Sequence, residues 1–207
     1  MILETIAILA GLGIIVYGLH KTGTVDFNSV LGNQSLGDGF GFDGYDFEQN
    51  LDGEARFPAY SLNISRAGID FIKLKEGFVA TPYKDPAGVW TIGYGTTKGI
   101  NGNTGSITRA QGEALMLKDI ADFHTELSSL VKVTLKQGEY DALMSFIYNL
   151  GAANLGKSTL LKKLNAGDYA GAANELPRWN KARVNGQLTA LNGLTIRRNE
   201  ERAMFLA

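Results

Sequence analysis

Three side chains are spaced in a way that can carry chemistry: Glu76, Asp85 and Thr91. Asp85 follows Glu76 by nine residues, in a Lys84-Asp85-Pro86-Ala87-Gly88 stretch, and Thr91 comes six residues later in Val89-Trp90-Thr91-Ile92. Two carboxylates flanked by glycine turns and by Tyr83, Trp90 and Tyr94 suit the cleavage of a glycosidic bond. One acid protonates the leaving oxygen while the other orients water or meets the cationic transition state. The aromatic rings offer apolar faces to sugars. Taken alone, the spacing also fits a plainer reading, because acids at this distance are common and an Asp beside Pro and Gly is an ordinary surface turn.

The elements that would position these residues can be read from pattern. Ser65 is placed to cap a helix through Ile69, Phe71 and Ile72 to Glu76, and Gly77 is placed to end it. Short runs broken by Pro82, Pro86, Gly88, Gly93, Gly95 and Gly99 follow, which predicts a small β-hairpin or meander. After Thr108 the periodicity is helical, with candidate helices over 109–130, 135–150, 158–166, 169–177 and 192–206. Breaks are expected at Thr134, Gly151, Gly167 and Asn185-Gly186. The expected class is α+β, with a small sheet in front of a helical bulk.

A second motif invites a different chemistry. Gly151-Ala-Ala-Asn-Leu-Gly156-Lys157-Ser158 matches the phosphate-binding loop pattern letter for letter. That loop needs a buried strand before its first Gly. Here Tyr140, Leu143, Met144, Ile147 and Leu150 precede it at helical spacing, so a helix–loop–helix junction is expected and no nucleotide.

Composition removes other classes. The 207 residues contain no Cys and two His, which leaves neither thiol chemistry nor an imidazole-based zinc centre, so no metal or cofactor is expected. The net charge of −1 argues against a nucleic-acid binder. That total hides an asymmetry: residues 22–60 hold seven acids and one base, whereas residues 61–207 hold eighteen Lys or Arg against thirteen Asp or Glu. A basic main domain suits an anionic polymer, and it equally suits a generic solvated surface.

Three segments follow from this. Residues 1–20 are expected to form an apolar helix that anchors the chain in a membrane. The 18 residues of Ile2–Leu19, uncharged except for Glu4, would span about 27 Å as a helix. The basic residues and small-residue cleavage site of a secretory signal are missing, and Lys21 favours a cytoplasmic C-terminal side. Residues 21–60, rich in Gly, Asp and interleaved aromatics, read either as a spacer or as a segment that meets a partner. Residues 61–207 form the main domain.

The motifs in that domain resemble those of the phage-type lysozymes, or endolysins. The resemblance rests on Lys75-Glu76-Gly77, Tyr83-Lys84-Asp85 and Val89-Trp90-Thr91-Ile92-Gly93-Tyr94-Gly95-Thr96-Thr97. Further matches are Phe146-Ile147-Tyr148-Asn149-Leu150-Gly151, Ser158-Thr159-Leu160-Leu161, Leu164-Asn165-Ala166-Gly167-Asp168, Arg178-Trp179 and Gly193-Leu194-Thr195-Ile196-Arg197-Arg198-Asn199-Glu200. It implies a lysozyme-like fold with a small β lobe and a mainly helical lobe, and a muramidase that cuts peptidoglycan between N-acetylmuramic acid and N-acetylglucosamine. It also implies Glu76 as general acid, Asp85 as the residue that activates water and Thr91 as its partner. Tyr83, Tyr94, Gly95 and Arg197 are the expected substrate contacts, with Arg197 pairing Glu76 unless Arg198 takes that place. Hydrolysis with inversion is expected. Some members of that family are held by an N-terminal signal-anchor and later leave the membrane, which would place this chain at a host inner membrane or periplasm. The alternatives are an enzyme built into a virus particle, with residues 21–60 on a structural protein, and a virion protein that keeps the fold only to hold glycan.

Overall fold

The computed structural model describes the backbone of residues 4–9 and 14–19, and residues 55–85, 88–184 and 186–207 with their side chains. The 21–54 part of the expected linker lies outside the described residues. The chain divides into two units, Met1–Asp46 and Phe47–Ala207.

In the first unit, β1 (Glu4–Leu9) pairs antiparallel with β2 (Ile14–Leu19), with Glu4 opposite Leu19 and Leu9 opposite Ile14. The backbone described there is extended where an apolar helix is expected. An unbroken apolar run does not by itself distinguish helix from strand. Here Ile6, Ile8, Ile14, Ile15 and Val16 favour extended backbone, and Gly11 and Gly13 are poor helix formers. Among the described residues no helix is long and apolar enough to cross a membrane.

The second unit opens with β3 (Phe57–Pro58), a 3-10 turn at Ala59–Ser61 and α1 (Arg66–Glu76). The Ser65 side chain accepts from the Gly68 N–H, as its capping role requires. Then β4 (Val79–Lys84) and β5 (Trp90–Gly93) form the expected hairpin, which is irregular between Val79 and Tyr83. Thr108 and Gln111 make a capping box for α2 (Arg109–Leu130). A Cβ at Gly112 would fall 2.7 Å from the Phe78 ring, so this glycine lets α2 close onto the hairpin.

β6 (Thr134–Leu135) pairs antiparallel with β3 and leads into α3 (Gln137–Leu150). Tyr140, Leu143, Met144, Phe146 and Ile147 on α3 are fully buried, so this helix is the spine of the core. α1, α2 and α7 (Asn192–Leu206) pack around it. Between α3 and α7 run α4 (Ala152–Lys157), α5 (Thr159–Asn165), α6 (Tyr169–Ala173) and a 3-10 turn at Leu176–Trp179.

The phosphate-loop look-alike is the α3–α4–α5 junction. Gly151, at φ 81°, ends α3, and the Ser158 hydroxyl accepts from the Leu161 N–H at the start of α5. Parts of this unit differ from expectation, and the helix expected over 169–177 ends at Ala173 ahead of the 3-10 turn. α4 is one short helix in what reads as loop. Residues 181–190, read as a turn between helices, form a hairpin of β7 (Lys181–Val184) and β8 (Gln187–Ala190). The Asn185-Gly186 dipeptide is a strong hairpin signal, and Gly186 takes φ +82° as such turns require.

Candidate active site

Glu76 is the last residue of α1, and Gly77 at φ 70° turns the backbone out of the helix directly after it. Its carboxylate is met by Arg197 from α7: the Nη1–H donates to Glu76 Oε1 at 2.6 Å. The Glu76 side chain keeps 20% of its surface exposed while that of Arg197 keeps 6%, so the pair sits at the edge of the packed interior. Of the two adjacent arginines, it is Arg197 that reaches Glu76. The other carboxylate oxygen, Oε2, faces Gly95, where a Cβ would lie 3.8 Å from it and 3.8 Å from the Tyr148 ring. Gly95 adopts φ +99°, a conformation that side chains with a Cβ resist.

Asp85 and Thr91 are organised by a single residue between them. The Val89 N–H donates to Asp85 Oδ1 at 2.8 Å, and the Thr91 hydroxyl donates to the Val89 carbonyl at 3.1 Å. Thr91 is buried. Tyr83 stands directly opposite Thr91 in the β4–β5 register, so the two share one face of the hairpin, and Tyr83 is exposed. Tyr94, expected to meet sugar, is 3% exposed. It packs on Phe78 with centroids 5.3 Å apart, and the Tyr148 hydroxyl donates to its carbonyl at 2.8 Å.

Beside Gly95 opens a groove of about 440 Å3, lined by Gly95, Thr97, Lys98, Asp119, Asp122, Phe123, Glu126 and Tyr148. Lys98 pairs with Asp122 at 2.9 Å, and the Thr96 hydroxyl donates to Asp119 at 2.6 Å. The excess of basic residues in this half of the chain is therefore not gathered at the groove.

Pattern reading assigned no role to the groups behind Arg197. Its Nε–H donates to Glu201 at 3.1 Å, and its Nη2 donates to the Ser145 carbonyl and hydroxyl at 3.2 Å. Arg198, fully buried, donates to Glu201 at 2.8 Å and to Asn149 at 3.1 Å. Burial pushes the Glu201 carboxyl up and the Arg198 guanidinium down to about 10. Burial likewise pushes the Tyr148 phenol up, with the Asp119 and Glu76 charges adding to it, so it stays a neutral donor. A signal for these groups exists in the sequence: Asp141, Ser145 and Asn149 recur every fourth residue, and the residues between and after them, 142–144, 146–148 and 150, are apolar or aromatic.

This geometry can be set beside known proteins. The family profile described as phage lysozyme matches residues 73–201, which spans Glu76, Asp85, Thr91 and Arg197.

The chain belongs to the phage lysozyme family.

As a member of that family it is a glycoside hydrolase. Over 145 residues it is 46% identical to the endolysin of Acyrthosiphon pisum secondary endosymbiont phage 1, covering 70% of this chain and 98% of that one. Over 133 residues it is 41% identical to the SAR-endolysin of Enterobacteria phage PA-2, covering 63% of this chain and 77% of that one. Among solved structures it is similar to the muramidase domain of SpmX from Asticaccaulis excentricus. That match has 35% identity and a TM-score of 0.66, covering 70% of this chain and 98% of that one. In this phage lysozyme the α+β class read from the pattern holds, with a hairpin carrying Asp85 and Thr91 and a helical part carrying Glu76 and Arg197.

Proposed function

We propose that this lysozyme cuts the peptidoglycan glycan strand between N-acetylmuramic acid and N-acetylglucosamine by single displacement. Glu76, in its protonated form, gives its proton to the glycosidic oxygen as the C1–O bond breaks. A water held by Asp85 and the Thr91 hydroxyl attacks C1 from the opposite face, and its proton passes to the Asp85 carboxylate. A Thr beside Asp85 favours a positioned water over a glycosyl-enzyme. Tyr83 and Gly95 line the approach of the sugar, and Arg197 holds the general acid. The observation that carries the reading is the setting of Glu76: one oxygen is fixed by Arg197, and the other is turned to Gly95 at the lip of the groove.

The N-terminal 20 residues, in this reading, associate with the host inner membrane, residues 21–60 act as a tether, and the enzyme works in the periplasm. The uncharged run from Thr5 to Leu19 and the similarity to SAR-endolysins support this. The test of the activity is Glu76→Gln on purified peptidoglycan. Release of reducing ends is expected to fall by several orders of magnitude with the melting temperature preserved. Near-normal release would overturn the assignment.

A further inference from the structure

The charged residues behind the Glu76–Arg197 pair are too costly to be incidental packing. Glu201 has no exposed surface, and one of its oxygens, Oε1, accepts from the Ser145 hydroxyl at 2.7 Å, Arg197 Nε at 3.1 Å and Arg198 Nη2 at 2.8 Å. Its Oε2 has no protein partner, nor do Nε and Nη1 of Arg198. Arg198 instead lies over the Phe146 ring, 5.2 Å from its centroid. A buried ion cluster of this kind is a weak source of stability, because desolvation offsets most of the attraction. It forms, however, a continuous chain from Arg198 through Glu201 and Arg197 to Glu76.

We propose that Glu201 is a positioning residue for Glu76: it fixes Arg197 in the orientation that reaches the acid, and it balances the charge of the two arginines. The inference rests on the assignment of Glu76 as general acid. All three guanidinium nitrogens of Arg197 are committed, to Glu201, Glu76 and Ser145, so its orientation is fully determined. The carboxylate of Glu201 leaves the pair of arginines with a net charge of one. Without it, Glu76 would face two uncompensated cations, its ionised form would be favoured, and it would lose its proton at a lower pH.

The other groups packed around the cluster do not supply this balance. Ser145, Asn149 and Tyr148 on α3 are neutral. Lys75 on α1 pairs with Glu200, and Arg202 donates to Asn174. Lys163 and Arg178 both pair with Glu175.

The test is the pH dependence of kcat for purified peptidoglycan in the full chain. Glu201→Gln keeps the size and the accepting oxygen but removes the charge. Its alkaline limb, which reports the general acid, is expected to move down by about one pH unit. That is roughly a tenfold loss of kcat on the alkaline side, with KM and the acid side little changed. Arg198→Met removes one cation and keeps an apolar contact to Phe146, so its limb is expected to move up. The double variant restores the original net charge, and its limb returns towards that of the natural enzyme.

Should Glu201→Gln fail to fold, the Arg198→Met shift decides alone. Limbs that stay put, or a uniform loss at every pH, would overturn the inference and leave Glu201 a structural residue. Near-normal activity in Glu76→Gln would instead remove the assignment beneath it. The two failures are thus distinguishable.

Discussion

Arg197 meets Glu76 across 121 residues of chain, Nη1 to Oε1 at 2.6 Å. The contact joins the last residue of α1 to the first half of α7, and both helices rest on α3. The acid is therefore held by the packed core, while Asp85 and Thr91 are held by the hairpin. A shift of the hairpin against the core would change the separation of the two carboxyl groups without disturbing either one's own hydrogen bonds.

Gly95 tests how tightly that meeting place is built. Alanine there needs a left-handed backbone conformation, which costs about 1–2 kcal/mol. Its methyl would also stand 3.8 Å from Glu76 Oε2 and from the Tyr148 ring, at the lip of the groove. Gly95→Ala is expected to lower kcat by about tenfold to a hundredfold, since small misplacements of reacting groups have effects of that size. The melting temperature should fall by only a few degrees. Full activity with intact saccharide binding would show that the space beside Gly95 is not used.

The stereochemistry of the first product tests the roles of Asp85 and Thr91. Single displacement on a β-linked glycan gives an α-anomer, which can be followed by NMR before it equilibrates. It also calls for carboxyl groups about 6.5–9.5 Å apart in the working enzyme, whereas a nucleophilic Asp needs about 5–5.5 Å. Asp85→Asn is expected to lose most activity with little change in stability. A β-anomer as first product would make Asp85 a nucleophile and end the inverting assignment.

Lys157 closes a six-residue helix rather than cradling phosphate, because the residues before Gly151 are α3 and not a strand. Lys157→Ala is expected to cleave peptidoglycan at close to the natural rate, and no ATP binding should be seen by calorimetry with either protein. Measurable ATP binding lost in the variant would contradict the junction reading.

The legible parts of this molecule were those set by local chemistry. Ser65, Gly77, Thr108 and Gly151 mark helix ends through side-chain caps and glycine φ values, and each stands where pattern placed it. Glu76, Asp85 and Thr91 could be singled out because their spacing ties them to one helix end and one hairpin. Aromatic identity does not tell which face of a strand end is buried, and Tyr94 packs against Phe78. Glu201 was not legible as part of the site, since an acid near the chain's end reads as a solvated helix face. Only the packing of α7 on α3 brings it against Ser145 and the two arginines. Hydrophobicity without period carries no backbone preference, so the apolar run of the first 20 residues does not by itself choose between helix and strand.

The uncharged apolar run from Thr5 to Leu19 should decide where the protein partitions. The full chain is expected to sediment with membranes of an expressing cell and to need detergent for release. A chain beginning near residue 55 is expected to remain in the soluble fraction and to keep its specific activity. Equal solubility of the two would remove the membrane association from the proposed function.

The position at which that shortened chain begins matters, because the compact unit extends upstream of Ser61. Arg56 forms a buried ion pair with Glu139, the side chains being 7% and 3% exposed, and its guanidinium lies 3.7 Å over the Tyr169 ring. Phe57 and Pro58 pair with Leu135 and Thr134, and Ala59 and Leu62 are buried. A chain starting at Ser61 would leave Glu139 buried with the backbone N–H and the charge of Lys136 but without the guanidinium of Arg56. Breaking a buried pair from one side costs about 3–5 kcal/mol, so the shorter chain should unfold at markedly lower denaturant. Burial already pushes the Glu139 carboxyl up, with Arg56 opposing, and removing Arg56 should push it further. A carboxyl raised above its unfolded value contributes stability that is fully present below the unfolded value and lost as pH rises through the folded one. The deficit of the shorter chain should therefore be small in mild acid and grow towards neutral pH, and Glu139→Gln should recover much of it. Denaturant titrations of both chains at several pH values measure this. A deficit independent of pH would assign the loss to the missing β3 strand and the apolar contacts of Ala59 rather than to the stranded charge.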